Sequence, residues 1–180
     1  MKKYQIIYAD PPWEYKKTGG TTSSRGMAKQ FYKTMELADI CLLPIHKIVA
    51  TDCVLFLWAT FPRIKEALAV LESWGFKYHN VAFVWIKKTK LWKDFVGMGY
   101  WTRANPEICL LGVRGNPKPK SHAVRQLIYS QRMKHSQKPP VVRDKIVELC
   151  GDISRVELFA RAKPKGWDVW GNEVESDIEL

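Results

Sequence analysis

The sequence predicts an α/β domain with a mostly parallel central sheet flanked by helices. Three features of the chain lead there. Short runs rich in Val, Ile, Phe, Tyr and Trp alternate with stretches of helical periodicity, as when crossover helices connect parallel strands. Gly or Pro stands at many of the joints between them. No repeat, low-complexity tract or linker interrupts the chain, so residues 1–180 are read as a single domain.

Each element has its own justification. "YQIIYAD" reads as a short buried strand. Residues 14–34, with Gly19, Gly20, Thr21, Thr22, Ser23, Ser24 and Gly26, read as a long loop, and such loops inside compact domains are usually functional. A short helix over residues 36–42 precedes the strand "CVLFLWAT". "PRIKEALAVLESWG" is an amphipathic helix: Pro62 lies in its first turn, Ile64, Leu68, Leu71 and Trp74 share a face, and Gly75 ends it. "VAFVWI" and "EICLLGV" are strands, the second stopped by Gly112 and Gly115. A further strand is expected around Gln126 to Tyr129. "PPVVRDKIVELCG" is a helix with a prolyl start, an apolar face of Val142, Ile146 and Leu149, and Gly151 as its stop. "RVELFA" and "WDVWG" close the chain as strands.

Composition removes several classes of function. A chain of 180 residues buries a sizeable core, and its longest apolar run, "VLFLWA", is far too short to cross a membrane. Asp10 and Pro11 interrupt what would have to be the apolar part of a signal peptide, so the expected compartment is the cytoplasm. Cys41, Cys53, Cys109 and Cys150 form no C-x-x-C pair and sit in apolar stretches. They read as reduced, buried thiols, and no metal is expected.

Charge points to a partner. The net charge is +11, and residues 114–145 hold nine Lys and Arg against one acid, Asp144. A second patch, "KKTKLWKDFVGMGYWTR", interleaves five basic residues with Trp92, Phe95, Tyr100 and Trp101. Cations beside flat aromatic faces suit a polyanion with stackable bases. Within the basic segment, Lys118, Lys120, Arg125, Arg132 and Lys134 are the expected phosphate contacts. The plainer reading is a solvated face that keeps the protein soluble.

"DPPW" at residues 10–13 is the sharpest local signal; average composition would place it in a chain this long on the order of once in a few thousand. Pro-Pro has no N–H groups to donate and holds its carbonyls rigidly. The Asp10 carboxylate and the Pro11 carbonyl then form two acceptors at a strand end, matched to a group with two donors, an NH₂. Trp13 offers a face for a planar heterocycle. A base amino group satisfies all three. The alternative is a strand-ending turn in which Asp10 caps an N–H and Trp13 packs inward.

Beyond chemistry, "DPPW" resembles the amino-methyltransferase signature of Asp, Asn or Ser, then Pro-Pro, then Tyr, Phe or Trp. "HSQKPP" at 135–140 resembles the H-x-x-Q-K-P element of members with permuted motif order, and "VELFARAKPKGWDVWGNE" resembles the C-terminal element of the DPPW family. That family, called MT-A seventy, contains the catalytic subunit of the eukaryotic mRNA adenosine methyltransferase and small bacterial and phage members. "LFLWAT", "WGF" and "CLLGVRGNP" are similar too, so the likeness runs from about residue 4 to residue 173.

The resemblance implies a Rossmann-like methyltransferase domain that uses S-adenosylmethionine. It implies that Asp10, Pro11, Pro12 and Trp13 hold the target adenine, with Asp10 also beside the cofactor. Lys138 would meet the cofactor's carboxylate, Asn172 and Glu173 its ribose hydroxyls, and Arg161 would lie near the same ribose. Tyr32 and Glu107 would line the space around the base. Ala162 and Lys163 depart from a His-Asn pair of the eukaryotic members. The implied reaction is N(6)-methylation of adenine, with DNA favoured as substrate. The alternatives are an RNA adenosine methyltransferase and a non-catalytic nucleic-acid-binding partner of such an enzyme. A homodimer is compatible with this reading, and no membrane partner is expected.

Overall fold

The computed structural model describes residues 2–14, 34–99, 101–133 and 137–180. Ten main elements follow in order: β1 (Tyr4–Ala9), α1 (Leu37–Leu42), β2 (Val49–Ala59), α2 (Ile64–Ser73), β3 (Lys77–Lys88), β4 (Glu107–Arg114), β5 (Leu127–Gln131), α3 (Val141–Cys150), β6 (Arg155–Leu158) and β7 (Asp168–Trp170). Short 3₁₀ turns at Ile45–Lys47 and Phe61–Arg63 lead into β2 and α2. Every strand and helix expected from the sequence within these residues is present.

The seven strands form one sheet in the order β5-β3-β4-β2-β1-β6-β7. The β1–β2, β1–β6, β3–β5 and β6–β7 pairs are parallel, whereas β4 runs antiparallel to both β2 and β3. Six strands therefore point one way and β4 the other. The expected mostly parallel sheet is correct, and the reversed strand is the feature that sequence reading did not supply.

Two cores cover the two faces. On one, Ile7, Leu55, Leu57, Leu110 and Leu158 pack under Ile40 of α1 and Ala67, Val70 and Leu71 of α2. On the other, Ile6, Tyr8, Phe56, Trp58, Phe83 and Trp85 meet Val142 and Ile146 of α3. The alternation along β1 and β2 is the two-residue period of a strand buried on both sides. Crossovers with α1 and α2 lie on one face and α3 on the other, so chain direction across the sheet reverses at β1. Ligands of open α/β sheets bind at such a switch point.

Three local expectations shift. The buried stripe of α2 is centred on Ala67, Val70 and Leu71, with Ile64 and Leu68 only partly covered. Gly112 does not stop β4 but lies inside it: a Cβ there would come within 3.0 Å of Leu71 and 3.1 Å of Phe76, so its bare backbone lets α2 approach the sheet. Gly115, at φ +68°, makes the turn after β4, where a side chain would collide with Asp52. Finally, β3 extends beyond the expected "VAFVWI" at both ends, because its exposed N-terminal residues pair their backbone with β4 and its last ones with β5. Hydrogen bonding, not apolar content, sets those ends.

Candidate active site

The site grows from the end of β1. Asp10 follows Ala9 directly, and Pro11 and Pro12 prevent the backbone from entering a helix. The Pro11 carbonyl accepts the Trp13 N–H at 2.9 Å, and the Pro12 carbonyl accepts the Met35 N–H at 3.0 Å. Each prolyl carbonyl is thus held by one bond, and Pro11 keeps a second lone pair. Trp13 packs inward, as the alternative reading expected. Its indole is buried in the first core and donates to the Trp58 carbonyl at 3.2 Å, yet it also lines the pocket.

That pocket is lined by Asp10, Pro11, Pro12, Trp13, Trp58, Ala59, Thr60, Glu107, Lys138 and Arg161. Its cavity volume, about 30 Å³, is little more than one water requires. Lys138 joins its two carboxylates. The ammonium donates to both carboxylate oxygens of Asp10 at 2.8 Å and lies 3.2 Å from Glu107 Oε2. Lys87 closes the chain of charges at 2.6 Å from Glu107 Oε1. Trp58 lies alongside, its ring centroid 5.5 Å from the ammonium, and its indole N–H donates to the Tyr8 hydroxyl at 2.7 Å. Two carboxylates and two ammoniums alternate, so the cluster is neutral and each buried charge has an opposite neighbour.

The environment tunes each group. Burial pushes the Asp10 carboxyl above its ordinary value, with Lys138 opposing the rise. Burial alone would also raise Glu107, but Lys138 and Lys87 together override it and hold that carboxyl below its ordinary value. For Lys138, desolvation favours the neutral form, and Asp10 and Glu107 more than reverse it, so the ammonium stays charged. Beneath this layer, Arg143 of α3 grips Glu157 of β6 through two bonds of 2.6 and 2.7 Å. The forked pair ties the helix that follows Lys138 to the strand that precedes Arg161.

A pH-dependent result follows from Glu107. Glu107→Gln removes the carboxylate between two buried ammoniums, and the expected loss is up to about 3 kcal/mol of stability at neutral pH. Because folding depresses the Glu107 pKa, its contribution is complete above the ordinary glutamate value of 4.5 and fades as pH falls through the folded value. Urea unfolding of both proteins at descending pH checks this: the gap should close in acid. A gap independent of pH would assign the effect to packing.

The MT-A70 family model matches residues 4–173, nearly the whole chain. The chain belongs to the MT-A70 family. Its fold is the α/β Rossmann-like methyltransferase fold expected of an MT-A70 domain. The type II methyltransferase M.MunI of Mycoplasma sp. is 36% identical over 196 residues, spanning 99% of this chain and 82% of the relative. The putative N(6)-adenosine-methyltransferase MT-A70-like protein of Medicago truncatula is 27% identical over 97% of this chain. The human N(6)-adenosine-methyltransferase catalytic subunit METTL3 is 26% identical over 97% of it. This chain spans only 27% and 29% of those two proteins' own lengths.

Within the MT-A70 fold, the expected site residues fall into four groups. Asp10, Pro11, Pro12, Trp13, Glu107, Lys138 and Arg161 line one pocket. Asn172 and Glu173 follow β7 as Arg161 follows β6, and Arg161 Nε lies 3.6 Å from Glu173 Oε1. Tyr32 and Lys134 lie outside the described residues, as do His135 and Ser136 of the "HSQKPP" element. The basic residues separate. Arg132, just after β5, is at the carboxyl edge with the pocket, its guanidinium 4.3 Å from the Phe95 ring centroid. Lys118, Lys120 and Arg125 occupy the connection from β4 to β5 at the opposite edge, where Lys118 lines a separate groove of about 750 Å³. They do not form one patch with Arg132.

Sequence reading missed Trp58 and Thr60 in this MT-A70 pocket and Lys87 paired with its Glu107. Trp58 and Thr60 stand at the carboxyl end of the motif-like "LFLWAT", and that position was the available signal. Lys87 looked like one more cation of the basic loop. Among the described residues no cluster of His, Cys, Asp and Glu could hold a metal, and no helix is long and apolar enough to cross a membrane. Cys53 and Cys109 are buried, whereas Cys41 and Cys150 are only half-buried, and all four thiols are free.

Proposed function

We propose that the protein transfers a methyl group from S-adenosylmethionine to the exocyclic amino group of adenine in DNA, acting in the cytoplasm. The observation that carries this reading is Asp10: a carboxylate fixed at the sheet's switch point, beside a prolyl carbonyl and a buried ammonium, in a pocket walled by tryptophans. The donor set suits the cofactor. Asp10 and Lys138 complement an ammonium and a carboxylate, the two charges of an amino-acid head group. Arg161, Asn172 and Glu173 supply polar groups of the kind that hold vicinal ribose hydroxyls.

When bound, the cofactor supplies an electrophilic methyl on a sulfonium, and the remaining tasks fall to the chain. The adenine leaves its stack to reach the pocket. Asp10 and the Pro11 carbonyl accept its two N–H bonds, drawing the nitrogen toward sp³ and aiming its lone pair. Trp13 limits the ring's freedom. The Asp10 carboxylate also offsets the positive charge that builds on the nitrogen, and it is the nearest fixed acceptor for the departing proton. Positioning and preorganised charge account for the acceleration.

DNA is favoured because the likeness to a type II methyltransferase extends over 82% of that relative, whereas the adenosine methyltransferases match over less than a third of theirs. The test is direct. Genomic DNA and RNA transcribed from it are incubated with tritiated cofactor and digested to nucleosides. Label in N(6)-methyldeoxyadenosine is the expected result. Label in the ribonucleoside would reassign the substrate to RNA, and no label in either would make the chain a binding partner.

A further inference from the structure

The connection from β3 to β4, residues 89–106, carries features that the pocket chemistry does not use. Its root is firmly built. The Asn105 side chain accepts the Lys87 N–H at 2.8 Å and donates to the carbonyls of Lys87 and Phe95 at 3.1 and 2.7 Å. Phe95 N–H returns to the Lys87 carbonyl, Arg132 lies over the Phe95 ring, and Lys88 pairs with Asp94 at 2.6 Å. The outer part is the opposite: Leu91, Val96 and Met98 are exposed, Trp92 is 60% exposed and Trp101 fully so. An anchored arm therefore holds large apolar side chains out in solvent, a pattern that marks an interaction surface.

Trp92 adds a second observation. It sits at φ +58°, in a tight turn where its N–H reaches the Thr89 carbonyl. A bulky residue in the left-handed region is strained, and strain of this kind concentrates at functional positions. The charge identifies the partner. Lys90, Lys93 and Arg103 are exposed along the arm, and the one acid of residues 87–106, Asp94, is matched by Lys88. The location supplies the link to the site. Lys87 at one root of the arm pairs with Glu107 at the other, and Glu107 lines the pocket.

We propose that this arm is a base-stacking wedge: Trp92 and Trp101 take up bases left unstacked when the target adenine swings into the pocket, while Lys90, Lys93 and Arg103 hold the flanking phosphates. The proposal rests on the nucleic-acid reading above and deepens it. Apolar side chains inserted at a base step offset the loss of stacking there, and each aromatic–base contact is worth about five- to a hundredfold in affinity.

The test uses the full chain and the variants Trp92→Ala, Trp101→Ala and the double variant. Anisotropy of a labelled mixed-sequence duplex measures binding without any chemistry. Methyl incorporation is compared on native and heat-denatured genomic DNA. Weaker duplex binding, with a loss on native DNA at least several times larger than on denatured DNA, is expected, because denatured strands need no wedge. Unchanged binding, or equal losses on both substrates, overturns the wedge. A variant that turns an oligomer into a monomer by light scattering, with nucleic-acid binding intact, overturns it in favour of a protein interface. If the parent binds duplex but transfers no methyl, the enzyme reading fails while the anisotropy still decides the arm.

Discussion

Asp10→Asn is expected to slow methyl transfer by about a hundred- to a thousandfold while both ligands still bind. The substitution keeps the shape of the side chain, halves its accepting capacity and adds a competing NH₂. Both Asp10 oxygens accept from Lys138 at 2.8 Å, so an Asn must turn its carbonyl toward that ammonium and its NH₂ elsewhere in the pocket. An NH₂ facing the adenine amino group sets donor against donor, and the nitrogen loses its alignment. The neutral amide also gives up the charge that offsets the developing cation. Losing one fixed electrostatic group of this kind costs on the order of a hundred- to a thousandfold in turnover. Single-turnover rates at saturating cofactor and DNA isolate the chemical step. A rate within about threefold of the parent, under roughly 1 kcal/mol, would mean that Asp10 only ends a strand.

Lys138→Met is the second large effect, and it separates binding from chemistry. The ammonium is buried, with 9% of its side chain exposed, and it satisfies Asp10 and Glu107 together. If it meets the cofactor carboxylate as proposed, its loss removes a charge-assisted bond worth about 1.5–3 kcal/mol, and cofactor affinity should fall roughly ten- to a hundredfold. Met fills the space, which keeps a cavity from confusing the result. Asp10 and Glu107 then lose the ammonium between them, with Arg161 near Asp10 and Lys87 beside Glu107, so one takes up a proton more readily. Calorimetry with free cofactor reads the affinity, and anisotropy with labelled duplex should show DNA binding nearly unchanged. Equal cofactor affinities would remove Lys138 from the site. Parallel losses for both ligands would point to a disturbed fold, which urea unfolding would register.

Lys138 also bears on how Asp10 would meet its substrate. With both Asp10 oxygens engaged by one ammonium, an adenine N–H docked there as proposed would share an oxygen with Lys138 and bond it more weakly. A cofactor carboxylate held by Lys138 as proposed would draw the ammonium from Asp10 and strengthen that bond. The two large predictions are therefore coupled through one side chain, and the double variant should fall short of the product of the two single effects.

What the sequence could convey was mostly local. The strand periodicity of "YQIIYA" and "VLFLWA", the prolyl starts and the glycine stops are short-range signals, and they located all ten elements to within a few residues. Boundaries were less legible where backbone pairing carried the strand beyond its apolar centre, as in β3, and at the start of β2, where Val49 pairs with Tyr4 of β1. Asp10 and Arg161 were placed at the carboxyl ends of strands by position alone, and both line the pocket. The separation of Lys118, Lys120 and Arg125 from Arg132 was not legible, since charge along a segment does not say which end of a strand it reaches.

By itself, then, the sequence determined the element order, the two-faced burial of the central strands and the rigid acceptor motif at the end of β1. These follow from side-chain periodicity and the fixed backbone of proline. Only the tertiary structure decided that β4 runs against its neighbours, because strand direction depends on partners distant in the chain. That reversal brings the first residue of β4, Glu107, to the edge where the other strands end, facing Lys87 and Lys138. A run of cations and a lone glutamate thereby become a neutral buried cluster around Asp10, since opposite charges withdrawn from water are stable only when paired.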